Sequence, residues 1–326
     1  MILLYSAEET QFDTNGIGSL ADAVSCVVTE ERNSTYELEM VYPITGQHYA
    51  DIQYRSLIFV KPNPFDQPQP FRVYRISKPL NGLVTVYAWH ISYDLNGIPV
   101  KPFHTYTIDA TLSALTTNAA ITNDFTYTTD KPDSMAGEVW TDAPYSARAI
   151  LGGIEGSVLQ TYRGEFKFDR FNVALLTNRG ANNGVTLRYG KNIVGMTQDE
   201  DYSGLYTGVA PFWKGEDTAV YLPETIVFAQ GSFGFERILS LDLSGEFDAE
   251  PTLDQLRARA SQYISDNAIS TPKDSLDIDY AMDATIGSVR LCDTVSCVYM
   301  ALGVQATAKV VRSGYSFLKV SPPDWL

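Results

Sequence analysis

The sequence has little cysteine and little histidine, and this limits the chemistry that it can perform. Cys26, Cys292 and Cys297 are its three cysteines, an odd number that does not form a disulfide framework. Cys292 and Cys297 lie in an apolar stretch, and we expect these two to be buried small hydrophobic residues. The three histidines occur in no HExxH motif, and no pair of cysteine motifs accompanies them. The sequence therefore predicts no metal site and no cofactor.

Basic residues are also scarce. The chain has 24 Lys and Arg against 39 Asp and Glu, which gives a net charge of −15. A protein that grips nucleic acid needs a surplus of Lys and Arg to neutralise phosphates, and binding to an anionic membrane surface needs the same sign of charge. The composition therefore disfavours both as binding partners.

Long apolar runs are missing as well. No run approaches the roughly 18 residues that cross a membrane, so no membrane span is predicted. The first residues, Met1–Tyr5, have neither the basic start nor the long apolar stretch of a secretory signal, and Glu8 and Glu9 follow them. We expect the chain to be made and folded in a cytosol.

Common catalytic and nucleotide-binding motifs do not occur in the sequence. It contains no GxSxG, no GxGxxG after a strand and no GxxxxGK[ST]. Glu37 and Glu39 share one strand face, where a carboxylate pair could act in acid–base catalysis, but such a pair is far more often the solvated face of a strand. The acidic run Asp199–Asp201 lacks the spacing of an EF-hand, and we interpret it as a polar loop.

The histidines offer no catalytic constellation either. Trp89 and His90 are neighbours on a strand and point to opposite faces, so they do not form one site. His48 and His104 are isolated, and we expect each to be a surface or hydrogen-bonded structural residue. The sequence thus predicts no catalytic residue, no cofactor-binding residue and no metal ligand, and no enzymatic activity of this chain.

Aromatic residues, in contrast, are abundant, with 20 Tyr, 15 Phe and 4 Trp. They stand in short alternating runs that are typical of half-buried strands. Tyr36–Tyr42 and Phe71–Ile76 are two such runs, and Asn81-Gly82 connects the second to Leu83–Ile91 as in a hairpin. This spacing predicts a small antiparallel barrel or sandwich at the start of the chain.

The pattern changes after residue 98. Short helices are predicted over Ala110–Ala120 and Ser146–Leu151, and strand runs resume at Glu165–Asp169.

The strongest helix pattern lies further along the chain. It covers Leu253–Ile264 and begins with the capping-box pair Thr252 and Gln255. Strand patterns return after it, between residues 275 and 317.

Three segments carry short motifs in a fixed order along the chain. The first is Tyr36–Pro43 with Phe71–Ile76, followed by Ala88–Leu95, which has the form A-x-H-x-x-Y-D-L. The second combines Gly164–Asp169, of the form G-E-x-x-x-D, with an R-x-G-K-N run inside Leu187–Ile193. Together these segments resemble the N-terminal structural region of the prophage endopeptidase tail family, the tail-associated lysins, which is itself similar to the baseplate hub of contractile-tailed phages.

A third motif extends the resemblance to the end of the chain. Val289–Val295 is similar to a family segment with the pattern L-G-D-x-V, but Cys292 replaces the glycine. The resemblance thus spans residues 36 to 312.

The resemblance implies a mainly β fold with α+β insertions. Such hubs carry two similar antiparallel β-barrels with small mixed domains interleaved between them. In this chain the first barrel is expected at 1–98 and a small α/β domain at 99–159. The second barrel is expected at 160–214 joined with 275–326, and the inserted segment 215–274 would hold the helix at 253–264.

The resemblance also implies a role and partners. It implies a homotrimeric hub of a phage tail tip or baseplate, which caps or continues the tail tube and lets DNA pass without binding it specifically. The implied neighbours are a distal tail or tail tube protein and the tape measure protein. The implied location is the virion tail tip, after assembly in the cytoplasm of the bacterial host.

Two other classes of function stay open. One is a peptidoglycan hydrolase whose site carries no recognisable motif, although the lytic domain of relatives is expected C-terminal to the region that this chain matches. The other is a carbohydrate-binding β module of the tail, because Tyr and Trp are plentiful.

Overall fold

Strands dominate the structure, as the alternating runs of the sequence predict. The computed structural model describes residues 1–80, 82–188, 191, 193–215, 218–231, 233–247, 249–280, 289–299 and 304–316. The chain divides into two units, Met1–Arg188 with Met282–Leu326 as unit 1 and Tyr189–Ala281 as unit 2. Each unit is mainly β with a few helices, which confirms the predicted fold class.

The first seven strands lie within the first 90 residues. They are β1 (Leu3–Tyr5), β2 (Gly18–Ser19), β3 (Ser25–Glu31), β4 (Tyr36–Pro43), β5 (Leu57–Val60), β6 (Gln69–Ser77) and β7 (Leu83–His90). A 3-10 helix over Ile91–Gly97 follows β7.

The next part of unit 1 mixes short strands with helices. Its strands are β8 (Pro99–Val100), β9 (Phe103–Thr107), β10 (Thr126–Thr129), β11 (Ala136–Thr141), β12 (Tyr145–Ser146), β13 (Glu165–Asp169), β14 (Asn172–Leu176) and β15 (Asn182–Arg188). Its helices are α1 (Ile108–Thr117), α2 (Ala147–Gly152) and α3 (Val158–Tyr162). The first two helices are close to the predicted ones, whereas α3 was not predicted.

The remaining strands belong to unit 2 or to the return of the chain to unit 1. They are β16 (Ile193–Asp201), β17 (Gly208–Lys214), β18 (Ala219–Tyr221), β19 (Val227–Phe228), β20 (Ile238–Asp242), β21 (Lys273–Tyr280), β22 (Thr294–Tyr299), β23 (Val304–Lys309) and β24 (Arg312–Ser316). One helix, α4 (Leu253–Asp266), lies among them.

An eight-stranded antiparallel sheet forms the first part of unit 1, in the order β2-β1-β5-β6-β7-β4-β3-β24. The predicted hairpin between β6 and β7 is confirmed, and Gly82 in its turn has φ of 77°, a conformation that favours glycine. Alternate residues of β4 are buried, whereas Glu37 and Glu39 lie on the outer face. The period of two in the sequence therefore sets which face meets the core.

The buried face of this sheet continues into the helices and into the small sheet β10-β14-β13. One hydrophobic cluster runs from Leu4 and Met40 through Ile108 and Ile150 to Phe168. Burying each such side chain contributes about 1.5–3 kcal/mol. Residues 1–98 and 99–176 therefore share one core.

Among the described strands, three pairings are parallel, namely β10 with β14, β15 with β22, and β17 with β20. The residue patterns predicted an antiparallel barrel or sandwich at the start of the chain, and the resemblance implied two antiparallel barrels; neither gave a signal for these pairs. Parallel partners are joined by long connections, so local turn signals do not reveal them.

Unit 2 is built around β17, which pairs with β18, β19 and β20. Helix α4 begins with the predicted capping box, in which Thr252 and Gln255 each accept a hydrogen bond from the other's backbone N–H. Leu256 and Ala260 of α4 pack into a cluster with Val209 and Trp213 of β17. The division of the chain into the four predicted domains stays a prediction.

Candidate functional site

Polar side chains of unit 1 join the motif segments to distant parts of the chain in three separate sets of hydrogen bonds, which we together call the polar seam. Its members come from the eight-stranded sheet, from β13 and the loop after β14, and from the turn before β22. They are Glu30, Gln69, His90, Glu165, Asp169, Arg179, Asp293 and Lys309. Residues 189, 190 and 192 of the R-x-G-K-N run lie outside the described residues.

His90 lies at the end of β7 and is fully buried. Its Nε2 donates to Oε1 of Gln69 at 3.2 Å, because its Nδ1 accepts from the backbone N–H of Ser92 at 3.2 Å. The ring stacks on Tyr36 with centroids 4.4 Å apart. Burial, with the charges of Arg148 and Arg179, holds the pKa of His90 well below its ordinary value. His90 is therefore a neutral structural residue without access to solvent.

Gln69 connects the first motif segment to the second. Besides His90, its Oε1 accepts from the backbone N–H of Arg170 at 2.6 Å, and its Nε2 donates to Oδ1 of Asp169 at 2.8 Å. Asp169 is the last residue of the G-E-x-x-x-D motif. One buried glutamine thus fixes β6 and β7 against the end of β13.

Asp94, from the first motif, holds the segment that follows β7. It accepts from Nε of Arg72 at 2.8 Å and from Nη2 at 2.7 Å, a two-pronged ion pair across the outer face of the sheet. The motif aspartate therefore positions the 3-10 helix rather than reacting.

Glu165 and Arg179 join the middle of the chain to both of its ends. Arg179 donates to both carboxylate oxygens of Glu30 on β3, at 2.5 and 3.0 Å. Glu165 accepts from the backbone N–H of Arg179 at 2.8 Å and from Nζ of Lys309 on β23 at 2.5 Å. The side chains of Glu30, Glu165 and Arg179 are at most 9 % exposed, so these charges are paired inside the protein.

The pairing is strong enough to outweigh the cost of burial. Burial by itself lowers the pKa of Arg179, but the hydrogen bonds and charge of Glu30 raise it above its ordinary value. Burial likewise raises the pKa of Glu165, but Lys309 and the Arg179 backbone N–H lower it below its ordinary value. Both groups therefore stay charged in the folded protein.

Asp293, from the third motif, organises the turn before β22. Its side chain accepts from the backbone N–H of Ala181 at 2.8 Å and of Arg290 at 2.9 Å. The preceding Cys292 has φ of 72°, the left-handed region that favours glycine. This explains why the related motif has glycine at the position of Cys292.

The cysteines are poor nucleophiles. Burial raises the pKa of Cys26 to about 12, and burial with the nearby charge of Glu165 raises that of Cys292 to about 12. Burial also raises the pKa of Cys297. All three are buried free thiols, which confirms the burial predicted for Cys292 and Cys297. A protonated thiol does not attack or bind metal.

The other sequence candidates are not brought together. His48 contacts Asp51 at 3.0 Å and His104 contacts Glu138 at 2.7 Å, so each is hydrogen-bonded as expected. Glu39 is exposed. The prediction of a polar loop at Asp199–Asp201 is wrong, because these residues end strand β16 and pair with β21. The side chains of Asp199 and Glu200 lie outside the described residues.

Sequence reasoning missed Gln69 and Arg179, which form most of the links in the seam. Neither stands in a motif, and their partners within the seam lie 14 to 149 residues away in the chain. Among the residues that the structure describes, no three His, Cys, Asp or Glu side chains form a group that could hold a metal ion. No helix in the described part is long and apolar enough to cross a membrane.

We expect Arg179→Met to lower the free energy of unfolding by about 3–5 kcal/mol, because it leaves Glu30 buried without a partner. The double variant Glu30→Met with Arg179→Met should recover part of this loss, since it buries no unpaired charge. Urea denaturation measures both. The control is Lys167→Met, whose more exposed pair with Asp66 at 3.8 Å contributes at most about 1 kcal/mol; equal losses in Arg179→Met and Lys167→Met would contradict the role of the seam.

We expect the stability of the protein to fall as pH decreases from about 6.5 to about 5, by up to about 1.4 kcal/mol per pH unit. The folded state holds His90 neutral, whereas the unfolded state takes up a proton in this range, so acid favours unfolding. Urea denaturation at several pH values measures the slope. His90→Gln should flatten it and His104→Gln should not; a slope unchanged in His90→Gln would exclude His90 as its cause.

We expect Gly180→Ala to destabilise the protein by about 1–3 kcal/mol. A Cβ at this position would lie 2.1 Å from the carbonyl carbon and oxygen of Cys292, so the turn that carries Asp293 would have to move. Gly97→Ala is the matched control, because its Cβ would meet nothing within 4 Å. Thermal unfolding compares the two variants. Equal melting temperatures would show that the turn before β22 accommodates the added Cβ without loss of stability.

The chain was compared with known proteins. No model of a protein family matches it, and no curated protein matches it in sequence. Its fold, however, is similar to that of several solved phage proteins. The prophage tail protein gp18 from Listeria monocytogenes has a TM-score of 0.61 at 13% identity, with 96% of this chain and 90% of that chain covered.

Two further structures give the same result. A tail protein from Neisseria meningitidis has a TM-score of 0.61 at 10% identity, with 97% of this chain and 91% of that chain covered. The 43 kDa tail protein of prophage MuSo2 from Shewanella oneidensis has a TM-score of 0.64 at 11% identity, with 97% and 94% covered. This chain therefore has the fold of phage tail proteins over nearly its whole length.

Proposed function

We propose that this chain is a structural hub of a phage tail tip or baseplate. The observation that carries the proposal is the similarity of fold to three phage tail proteins, which covers 96% to 97% of this chain. Its motif residues also resemble the structural region of the tail-associated lysins, and we propose membership in that family. A whole-chain match leaves little of the chain for an additional catalytic domain.

The polar seam supports a structural role. His90, Glu165 and Asp293 are residue types that enzymes use, but each has its polar atoms committed to neighbouring segments. A neutral buried histidine, and carboxylates that accept hydrogen bonds from Lys309 and from backbone N–H groups, offer no free acid or base. We therefore propose that the motif residues His90, Glu165 and Asp293 stabilise unit 1.

We propose that three copies form a ring under the tail tube, with barrels at 1–98 and at 160–214 joined with 275–326. Three copies of two similar barrels would give a six-fold-like surface that matches a hexameric tube. The proposed neighbours are a distal tail or tail tube protein and the tape measure protein. The ring would lie at the virion tail tip after assembly in the host cytoplasm.

We expect purified protein to be a trimer of about 108 kDa, three times the 36.1 kDa chain. Light scattering after size exclusion, over a range of concentrations, measures the mass. A monomeric mass at every concentration tested would contradict the ring.

The same purified protein should give no lysis band in zymography on bacterial cell walls. A lysis band that one carboxylate substitution abolishes would favour the hydrolase alternative.

The carbohydrate-binding alternative has less support on the eight-stranded sheet. Trp89 is the exposed tryptophan of this sheet. Its indole already stacks on the rings of Tyr74 and Tyr93, with ring centroids 3.9 and 5.2 Å away. Stacking contacts that a sugar ring would use are therefore occupied by the protein itself.

We expect the protein not to retain duplex DNA at about 0.15 M salt, where charges are screened beyond about 8 Å. A hub must let DNA pass, and a basic bore would hold it through its phosphates. The net charge of −15 agrees with weak repulsion. An electrophoretic mobility assay checks this, and a shifted band that disappears at high salt would show that the acidity has another cause.

A further inference from the structure

One half-buried cation of unit 1 has no acidic partner among the described residues. Arg148, in the first turn of α2, packs its guanidinium over the rings of Tyr93 at 4.6 Å and Phe168 at 5.1 Å. It donates to Oγ of Ser92 at 3.2 Å and to the carbonyl oxygen of Ser34 at 3.1 Å. A guanidinium has five N–H donors, so donors remain at its edge while aromatic rings occupy its faces.

Arg148 differs in this respect from two other arginines of unit 1. Arg72 and Arg179 each face a carboxylate, whereas Arg148 forms no ion pair in the part of the chain that the structure describes. Arg170 also lies over aromatic rings without an ion pair among the described residues. What distinguishes Arg148 from Arg170 is the cavity that it lines.

Arg148 lines a cavity of about 250 Å³ between the eight-stranded sheet, the helices α2 and α3, and β13. The cavity walls are mostly apolar with a few amides, and include Asn33, Asn96, Leu151, Leu159, Phe166 and Phe168. Pockets for drug-sized ligands or cofactors measure about 300–1,000 Å³. This smaller cavity suits a side chain better than a cofactor.

We propose that this cavity binds a carboxylate that is attached to an apolar group, presented by a segment of a partner protein. The free N–H groups at the edge of Arg148 match the two oxygens of a carboxylate, and the stacked rings hold the guanidinium plane in place. The apolar walls cover the adjoining carbon atoms. This inference is independent of the trimeric ring, which could fail while the cavity still binds its ligand.

Ligand-observed fluorine NMR with 4-fluorophenylacetate tests the chemistry, and 4-fluorophenylacetamide is the neutral probe of the same shape. We expect the fluorine signal of 4-fluorophenylacetate to broaden in the presence of the wild-type protein. We expect 4-fluorophenylacetamide to bind at least tenfold more weakly. Arg148→Met should weaken binding of the acid at least tenfold. Arg170→Met is the matched control, because Arg170 also lies over an aromatic ring, that of Phe59 at 5.4 Å, yet does not line this cavity.

The peptides acetyl-Phe-Glu-amide and acetyl-Phe-Gln-amide test the source of the carboxylate by competition with the fluorinated acid. If the glutamate peptide displaces the fluorinated acid and the glutamine peptide does not, the result supports a protein segment as the source of the carboxylate. If neither peptide displaces the fluorinated acid, a protein segment is overturned as the source. Equal binding of acid and amide, or binding unchanged by Arg148→Met, overturns the site.

Circular dichroism checks that Arg148→Met folds. If it does not, Gly152→Leu narrows the cavity beside Leu159 and leaves Arg148 in place. Gly152→Leu must abolish the binding of 4-fluorophenylacetate; if this binding persists, the proposal is wrong.

Discussion

Unit 1 depends on how it pairs three buried charges. Glu30 pairs with Arg179, and Glu165 pairs with the half-buried Lys309. The backbone N–H of Arg179 donates to Glu165 and so joins the two ion pairs. Removing a charge from water costs several kcal/mol unless an opposite charge and hydrogen bonds compensate for it. The early sheet, the middle strands and the returning end of the chain must therefore be in place together. A partly assembled unit 1 would leave at least one of these charges buried without a partner.

The same constraint explains why residue types that enzymes use in catalysis are structural in this fold. Histidine, glutamate and aspartate are used in catalysis because they exchange protons and accept hydrogen bonds, and these properties also make them good connectors in a buried seam. His90, Glu165 and Asp293 each link segments that are distant in sequence. Their fixed hydrogen bonds favour one arrangement of the segments that they join.

Arg148 shows the contrast between a residue that completes the fold and one that is left with free donors. The charges of Arg72 and Arg179 are neutralised within the chain, by Asp94 and Glu30. Arg148 is held by aromatic faces and neutral oxygens only, beside an apolar cavity. Partial burial of a cation without a counter-charge is costly, and this is why we place the proposed external carboxylate at Arg148.

The sequence by itself determined the mainly β class, the faces of the strands and several local features. Alternation placed Leu38 inside and Glu39 outside on β4, and the pair Thr252 and Gln255 fixed the start of α4, because both patterns depend on neighbours a few residues away. Only the tertiary structure decided the parallel pairings and the seam. Gln69 and Arg179 carry no local signal, since their partners become neighbours only after distant segments pack on one core.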